Sequence, residues 1–179
     1  SLPPAIDAMA EALPFADDSF DAGMASFTVH QWGDLEQGLA ELRRVTRGPV
    51  VILTADPDAL RRFWLHDYAP EITAVEASRY PAIDRIVAAL PGAVVDDVPI
   101  PFDCRDGFNE AYYGRPERLL DPAARLSCSS WSFVAASVVD RFVADLGRDL
   151  ADGSWDRRFG HFRRMPVLDG PLRLIVSTG

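Results

Sequence analysis

Leu35, Leu39, Leu42 and Val45 form an apolar stripe at three- and four-residue spacing, with polar residues between them. That period marks one face of an α-helix. Asp34 precedes the stripe as a good N-cap, and Gln37 stands three residues further on, the spacing of a capping box. Arg43, Arg44 and Arg47 crowd the last turn, where the helix dipole favours cations, and Gly48-Pro49 stops the helix. Ahead of it, residues 20–27 read as a strand, introduced by the turn cluster Ala16-Asp17-Asp18-Ser19. Behind it, Val50-Val51-Ile52-Leu53 is a short unbroken β-branched run, the pattern of a strand buried on both faces in a parallel sheet.

Further along, Asp56-Pro57 opens a helix with proline at its first position. Another starts at Pro81, carries Ile83, Ile86, Val87 and Leu90, and closes at Gly92. Residues 94–100 read as a strand. From 101 to about 169 the pattern changes to short helical pieces rich in aromatics: Phe102, Phe108, Tyr112, Tyr113, Trp131 and Phe133. A long helix over 137–152 follows, striped by Val138, Val139, Phe142, Val143, Leu146 and Leu150 and ended by Gly153. After the turn Asp169-Gly170-Pro171, residues 172–176 read as the last strand. Strands alternating with helices predict an α/β fold with a largely parallel sheet and a helical insertion at 101–169 before the final strand. That strand can lie parallel or antiparallel to 94–100, because the insertion can reconnect on either side.

Length and composition narrow the function more than the fold. A chain of 179 residues is one domain's worth, and 48% hydrophobic with 25% charged residues is a globular balance. With 18 basic against 27 acidic residues the net charge is −9, which disfavours nucleic acid and anionic membranes as partners. All the basic residues are arginine, so Schiff-base and P-loop lysine chemistry is excluded. Cys104 and Cys128 form no CxxC, and His30, His66 and His161 are scattered, so no metal site is expected. Two free thiols, no basic and apolar leader and no apolar run of membrane-spanning length lead us to expect a cytoplasmic protein.

Several residues are candidates for chemistry. His30 falls just past a strand's carboxyl end, where open α/β sheets bind ligands, and a neutral imidazole there can take a substrate proton. A loop histidine satisfied by backbone is the alternative. Trp32 suits a pocket floor or the core. Trp64, His66 and Tyr68, with Tyr112, Tyr113 and Trp131, would line an apolar substrate pocket or form a satellite core beneath the insertion. Asp103 and Asp106 flank Arg105 as a base or clamp, or as an ordinary surface turn.

Three blocks together point to a family. Ala10-Glu11-Ala12-Leu13-Pro14-Phe15-Ala16-Asp17-Asp18-Ser19-Phe20-Asp21 resembles the region after strand 3 of class I S-adenosylmethionine-dependent methyltransferases, in the subgroup that includes ubiquinone and menaquinone C-methyltransferases. Ala25-Ser26-Phe27-Thr28-Val29-His30-Gln31-Trp32 is similar to that family's strand 4 and following loop, and residues 39–49 to its next helix and turn. The family sheet runs 3-2-1-4-5-7-6. Laid on it, this chain supplies a partial Rossmann-like sheet, strands 4-5-7-6, as a carboxyl-terminal part without the glycine-rich loop; no GxG occurs among its 12 glycines, and Met9 stands where many members carry an aspartate. The resemblance implies S-adenosyl-L-methionine as cofactor, held at Ala10, Glu11, Ser26 and Phe27 and dependent on an amino-terminal half. It also implies His30 as a catalytic residue and a small apolar or aromatic acceptor near Trp64, His66, Tyr112 and Tyr113. The expectation is an enzyme inactive in this form, or alternatively a non-catalytic methyltransferase-like interaction module. A homodimer through the edge of strand 20–27, or the helices beside it, would cover surface left by strands 1 to 3. An α/β-hydrolase-like enzyme is excluded, because there is no GxSxG elbow.

Overall fold

The computed structural model describes residues 5–178. Asp34 Oδ1 accepts from the Gln37 amide at 2.9 Å and starts α1 (Leu35–Arg44) where the capping signal lies. The return half of the capping box is absent. The Asp34 amide donates to Glu11 Oε1 at 2.9 Å instead, so a distant carboxylate does the work assigned to Gln37. After α1 the chain turns at Gly48, where a Cβ would stand 2.0 Å from the Asp21 carbonyl oxygen. Only glycine permits that approach. β2 (Val50–Ala55) follows at once and pairs in parallel with β1 (Gly23–Ser26), from Gly23 opposite Val50 to Ser26 opposite Leu53.

β1 is shorter than the expected 20–27. Phe20 makes only an isolated parallel bridge to Thr46, and Phe27 leaves the strand with φ +51°. The main sheet has the order β1-β2-β6-β3, with β3 at Val94–Asp97 and β6 at Leu172–Ser177. In the expected family numbering this is 4-5-7-6. The expected strand at 94–100 is cut in two. Pro99 has no amide for the ladder, and the chain resumes as β4 (Ile100–Pro101), which pairs antiparallel with β5 (Val167–Leu168) in a separate two-stranded sheet.

The described chain divides into two compact units. The first comprises residues 5–55, 80–96 and 173–178 and holds the main sheet, α1 and α5 (Ile83–Ala89). Ala25, Val29, Leu35, Leu39, Val50, Ile52, Ile86, Leu90 and Ile175 make its core. The helical stripes read from sequence thus meet the sheet strands in one cluster.

The second unit comprises residues 56–79 and 97–172. It adds α2 (Pro57–Leu60), α3 (Leu65–Tyr68) and α4 (Pro70–Arg79) to the segment read as the insertion, which supplies α6 (Pro122–Leu126), α7 (Ala136–Ala151) and α8 (Ser154–Phe159). Its centre is aromatic. Trp64 meets Trp155 edge-on at 5.6 Å, and Trp131 meets Phe142 at 4.7 Å. Among the described residues no helix is long and apolar enough to cross a membrane.

Candidate functional site at the end of the first strand

The site in the first unit begins with a clamp. Arg44, in the last turn of α1, donates to the carbonyls of Phe15 (2.8 Å) and Leu13 (3.1 Å) and to Asp17 Oδ1 (2.8 Å). Its Nε donates to Glu41 Oε1 (2.7 Å), and Glu41 Oε2 accepts from the Leu13 amide (2.9 Å). The Arg44 guanidinium and the Leu13 amide hold the Glu41 carboxyl down at about 2. Segment 13–17 is therefore tied to α1 through its own backbone, and the preceding residues Ala10 and Glu11 are set in place.

Glu11 spends one carboxylate oxygen on a second tie. Oε1 accepts from the Gly33 amide (2.6 Å) and the Asp34 amide (2.9 Å), which lowers its pKa, the Asp34 bond most strongly. Trp32 precedes those amides, and its ring lies against α1 at Gly38, where a Cβ would come within 2.5 Å of Cε3. The glycine in the helix makes room for the indole. Together these contacts frame a cavity of about 190 Å³ lined by Ala10, Leu13, Met24, Ala25, Thr28, Trp32, Gly38 and Leu42. Ala25 and Thr28 bracket Ser26 and Phe27. Of the four residues expected at a cofactor, Ala10 lines this hollow and Glu11 ties down the loop that carries Trp32, while Ser26 and Phe27 are not among its lining residues. An engineered cavity of about 150 Å³ holds benzene, so this one fits a planar ring with the indole as one wall. The residues present suit the adenine portion of S-adenosylmethionine. They provide no glycine-rich loop for its charged methionyl end.

Phe27 is a non-glycine residue in the left-handed region, with its amide donating to the Leu53 carbonyl at 2.9 Å. Such a conformation disfavours a residue with a Cβ and tends to cluster at functional sites. It turns the chain sharply into a 3-10 turn at Val29–Gln31 that carries His30. The imidazole is half-buried and packs on the Tyr80 ring at 4.6 Å.

In the second unit, Trp64 is 2% exposed and its Nε1 donates to the Tyr113 carbonyl at 3.0 Å. The Tyr113 hydroxyl donates to the Met165 carbonyl at 2.9 Å. Both rings spend their polar atoms inside the unit and serve as its packing. Tyr68 likewise donates to Asp149 Oδ2 at 2.9 Å. Tyr112 is buried under the Arg115 guanidinium, while His66 is half-buried with Nδ1 2.7 Å from Thr73 Oγ1. Asp103, Arg105 and Asp106 are exposed, with Asp106 accepting from the Gly107 amide at 3.0 Å, a surface turn. Burial pushes the Cys128 thiol up to about 12, so it is inert. Among the described residues no group of His, Cys, Asp or Glu is placed to hold a metal ion. The Glu41–Arg44 clamp was missed from sequence, although both residues lie in a block quoted for the resemblance.

Comparison with known proteins agrees with this geometry. A family model described as a methyltransferase domain matches residues 3–52, the segment that carries the clamp, β1 and the hollow. Among curated proteins none matches the sequence significantly. Among solved structures, a protein of Anabaena variabilis ATCC 29413 named as a methyltransferase of an antibiotic biosynthesis pathway is 28% identical, with a TM-score of 0.89 over 97% of this chain and 72% of that one. The [4+2]-cyclase SpnF is 14% identical with a TM-score of 0.43, over 98% of this chain and 56% of its own. The YcgJ protein of Bacillus subtilis is 15% identical with a TM-score of 0.39, over 95% of this chain and 69% of its own. The last two likenesses are too low to bear on function. The first, with the family match, supports a class I methyltransferase with a Rossmann-like sheet.

Proposed function

We propose that this chain is the carboxyl-terminal part of an S-adenosylmethionine-dependent methyltransferase that acts on a small apolar or aromatic acceptor. One observation carries the reading. Ala10, Ala25, Thr28 and Trp32 line a ring-sized hollow beside the carboxyl end of β1, where open α/β sheets bind ligands, and Glu11 ties the loop that carries Trp32. Bound there, the cofactor supplies an electrophilic methyl group on sulfonium. With the cofactor bound, any proton on the acceptor would need a base supplied by this chain. The protein's tasks are orientation and exclusion of water. Trp32 and Ala10 hold the flat ring, Glu11 fixes the loop around it, and His30 on the next turn takes the proton.

Hydrogen exchange with S-adenosylhomocysteine as ligand tests the reading. Added protection is expected at residues 10–12 and 26–33, and Trp32→Ala should abolish it. Protection elsewhere, or none at millimolar ligand, would sink the reading. Because the chain has no GxG, the affinity expected for it alone is about millimolar rather than micromolar, a difference of about 4 kcal/mol. The same absence favours the second reading, a non-catalytic interaction module. Methyl transfer by any preparation containing this chain, lost on His30→Ala but with ligand protection intact, would exclude that reading.

A further inference from the structure

In the second unit, α8 (Ser154–Phe159) runs directly into a 3-10 turn at Gly160–Arg164. Its aromatic residues turn inward: Trp155 is fully buried, and Phe159 and Phe162 are half-buried. The Arg158 guanidinium lies over the Phe159 ring at 4.7 Å, and that of Arg163 over Trp155 at 4.8 Å. Arg157, Arg158, His161 and Arg164 are left exposed. Four of the 18 arginines thus fall within eight residues of a chain whose net charge is −9.

An open hollow of about 380 Å³ lies among them, lined by Asp156, Arg157, Arg158, Gly160, His161 and Arg164. The one carboxylate in that lining is engaged, since Asp156 Oδ1 accepts from Arg163 Nε at 2.5 Å. Arg157 donates to the Asp152 carbonyl (3.0 Å) and to Ser154 Oγ (2.6 Å), which sets its guanidinium in place. It reaches the Asp152 carboxylate only at 3.9 Å. Arg158 pairs with Asp67, and both side chains are largely in water. Exposed ion pairs of this kind are worth little, so an incoming anion competes with them. The Arg164 guanidinium has no hydrogen-bond or ion-pair partner among the described residues. The His161 ring is held on Phe162 at 4.2 Å and brings a further N–H.

We propose that this hollow binds the phosphate group of a small phosphomonoester. Three guanidiniums against one engaged carboxylate select an anion. Each guanidinium is a planar fork that meets two phosphate oxygens at once. A phosphomonoester offers three terminal oxygens and nearly two charges near neutral pH, where a carboxylate offers two oxygens and one charge. Scaled from benzene in about 150 Å³, the space takes about fifteen non-hydrogen atoms, of which a phosphate group fills about a third. The rest is room for an organic body. The net charge of −9 repels long polyanions more than a single small dianion. None of these residues takes part in the methyltransferase reading, so the two stand or fall separately.

Phenyl phosphate, inorganic phosphate, benzoate and heparin, each titrated into the 15N-labelled chain in phosphate-free buffer, test the assignment. Phenyl phosphate should shift the amides of residues 156–164 and bind more tightly than inorganic phosphate. It should exceed benzoate at least about tenfold, the effect of added hydrogen bonds to a charged group. Arg164→Ala should weaken phenyl phosphate at least about tenfold by the same measure. Arg164→Lys should weaken it at least about threefold, because the ammonium keeps the charge and loses the fork. Arg164 is exposed, so both variants keep the fold. Phenyl phosphate shifts absent from these residues, benzoate or inorganic phosphate bound as tightly, unchanged binding to Arg164→Ala, or heparin displacing phenyl phosphate as a polyanion would each overturn the proposal.

Discussion

Glu110 and Gly38 show how far one position depends on its surroundings. The Glu110 carboxyl ordinarily titrates near 4.5 and is raised to about 8 by burial in the native state. Between those values the native chain holds a proton that the unfolded chain has released, so stability falls as pH rises. The contribution is fully present below about 4.5 and is gone above about 8, a change on the order of a few kcal/mol. Urea unfolding at pH 5, 6.5 and 8 should show this decline, and Glu110→Gln should flatten it; a wild-type curve equally flat over that range would contradict it. Gly38 is the reverse case. Alanine in a helix interior ordinarily gains about 1 kcal/mol over glycine. Here the added methyl meets Trp32 at 2.5 Å, and overpacking costs about 1–3 kcal/mol. Gly38→Ala should therefore lower stability and alter tryptophan emission, where an unpacked helix would show a gain.

At the scale of elements, the Arg44 clamp determines the order of the segment before β1. Arg44→Ala should speed amide exchange at Leu13 and across residues 10–17 while leaving α7 (Ala136–Ala151) unchanged, which separates release of the segment from general destabilisation. Elements governed by local signals were legible. Asp34 and Gly48 bound α1, the β-branched run made β2, and Gly153, at φ +77°, closes the long helix. Elements governed by neighbours were not. Pro99 divides a strand whose hydrophobic pattern looked continuous, and α3 and α4 carry too few large apolar residues to show a stripe, with Ile72, Thr73 and Ala77 as the buried positions of α4. The site divides the same way. Ala10, which lines the hollow, lay in a block that the sequence resemblance singled out. Outside it, the buried Glu110 was not legible, because Asn109-Glu110 looks like a polar loop until packing removes it from water. Trp64 and Tyr113 attracted notice as aromatics, which sequence alone cannot sort into pocket and core.

At the scale of the molecule, both edges of the main sheet expose apolar residues, Val94 and Val95 on β3 and a larger group around β1. β1 ends the main sheet as described, with Met24 64% and Phe20 40% exposed, and Met9 at 67% shortly before it. Sheet edges are ordinarily shortened, charged or covered, and this one has no charge within Gly23–Ser26. We expect two copies to associate there. Sedimentation at low micromolar concentration should give twice 19.7 kDa, and Met24→Arg should return the monomer; a wild-type monomer would refute the dimer. A different consequence follows from the short pair β4–β5. Ile100 faces Leu168 and Pro101 faces Val167, so the chain enters and leaves the aromatic segment through adjacent residues. Closing a longer loop adds little, about 0.6 kcal/mol for each doubling. Evolution can therefore lengthen, trim or exchange the residues between those two strands as a cassette without shifting their register, and relatives should diverge in length there while the strand pair stays in step.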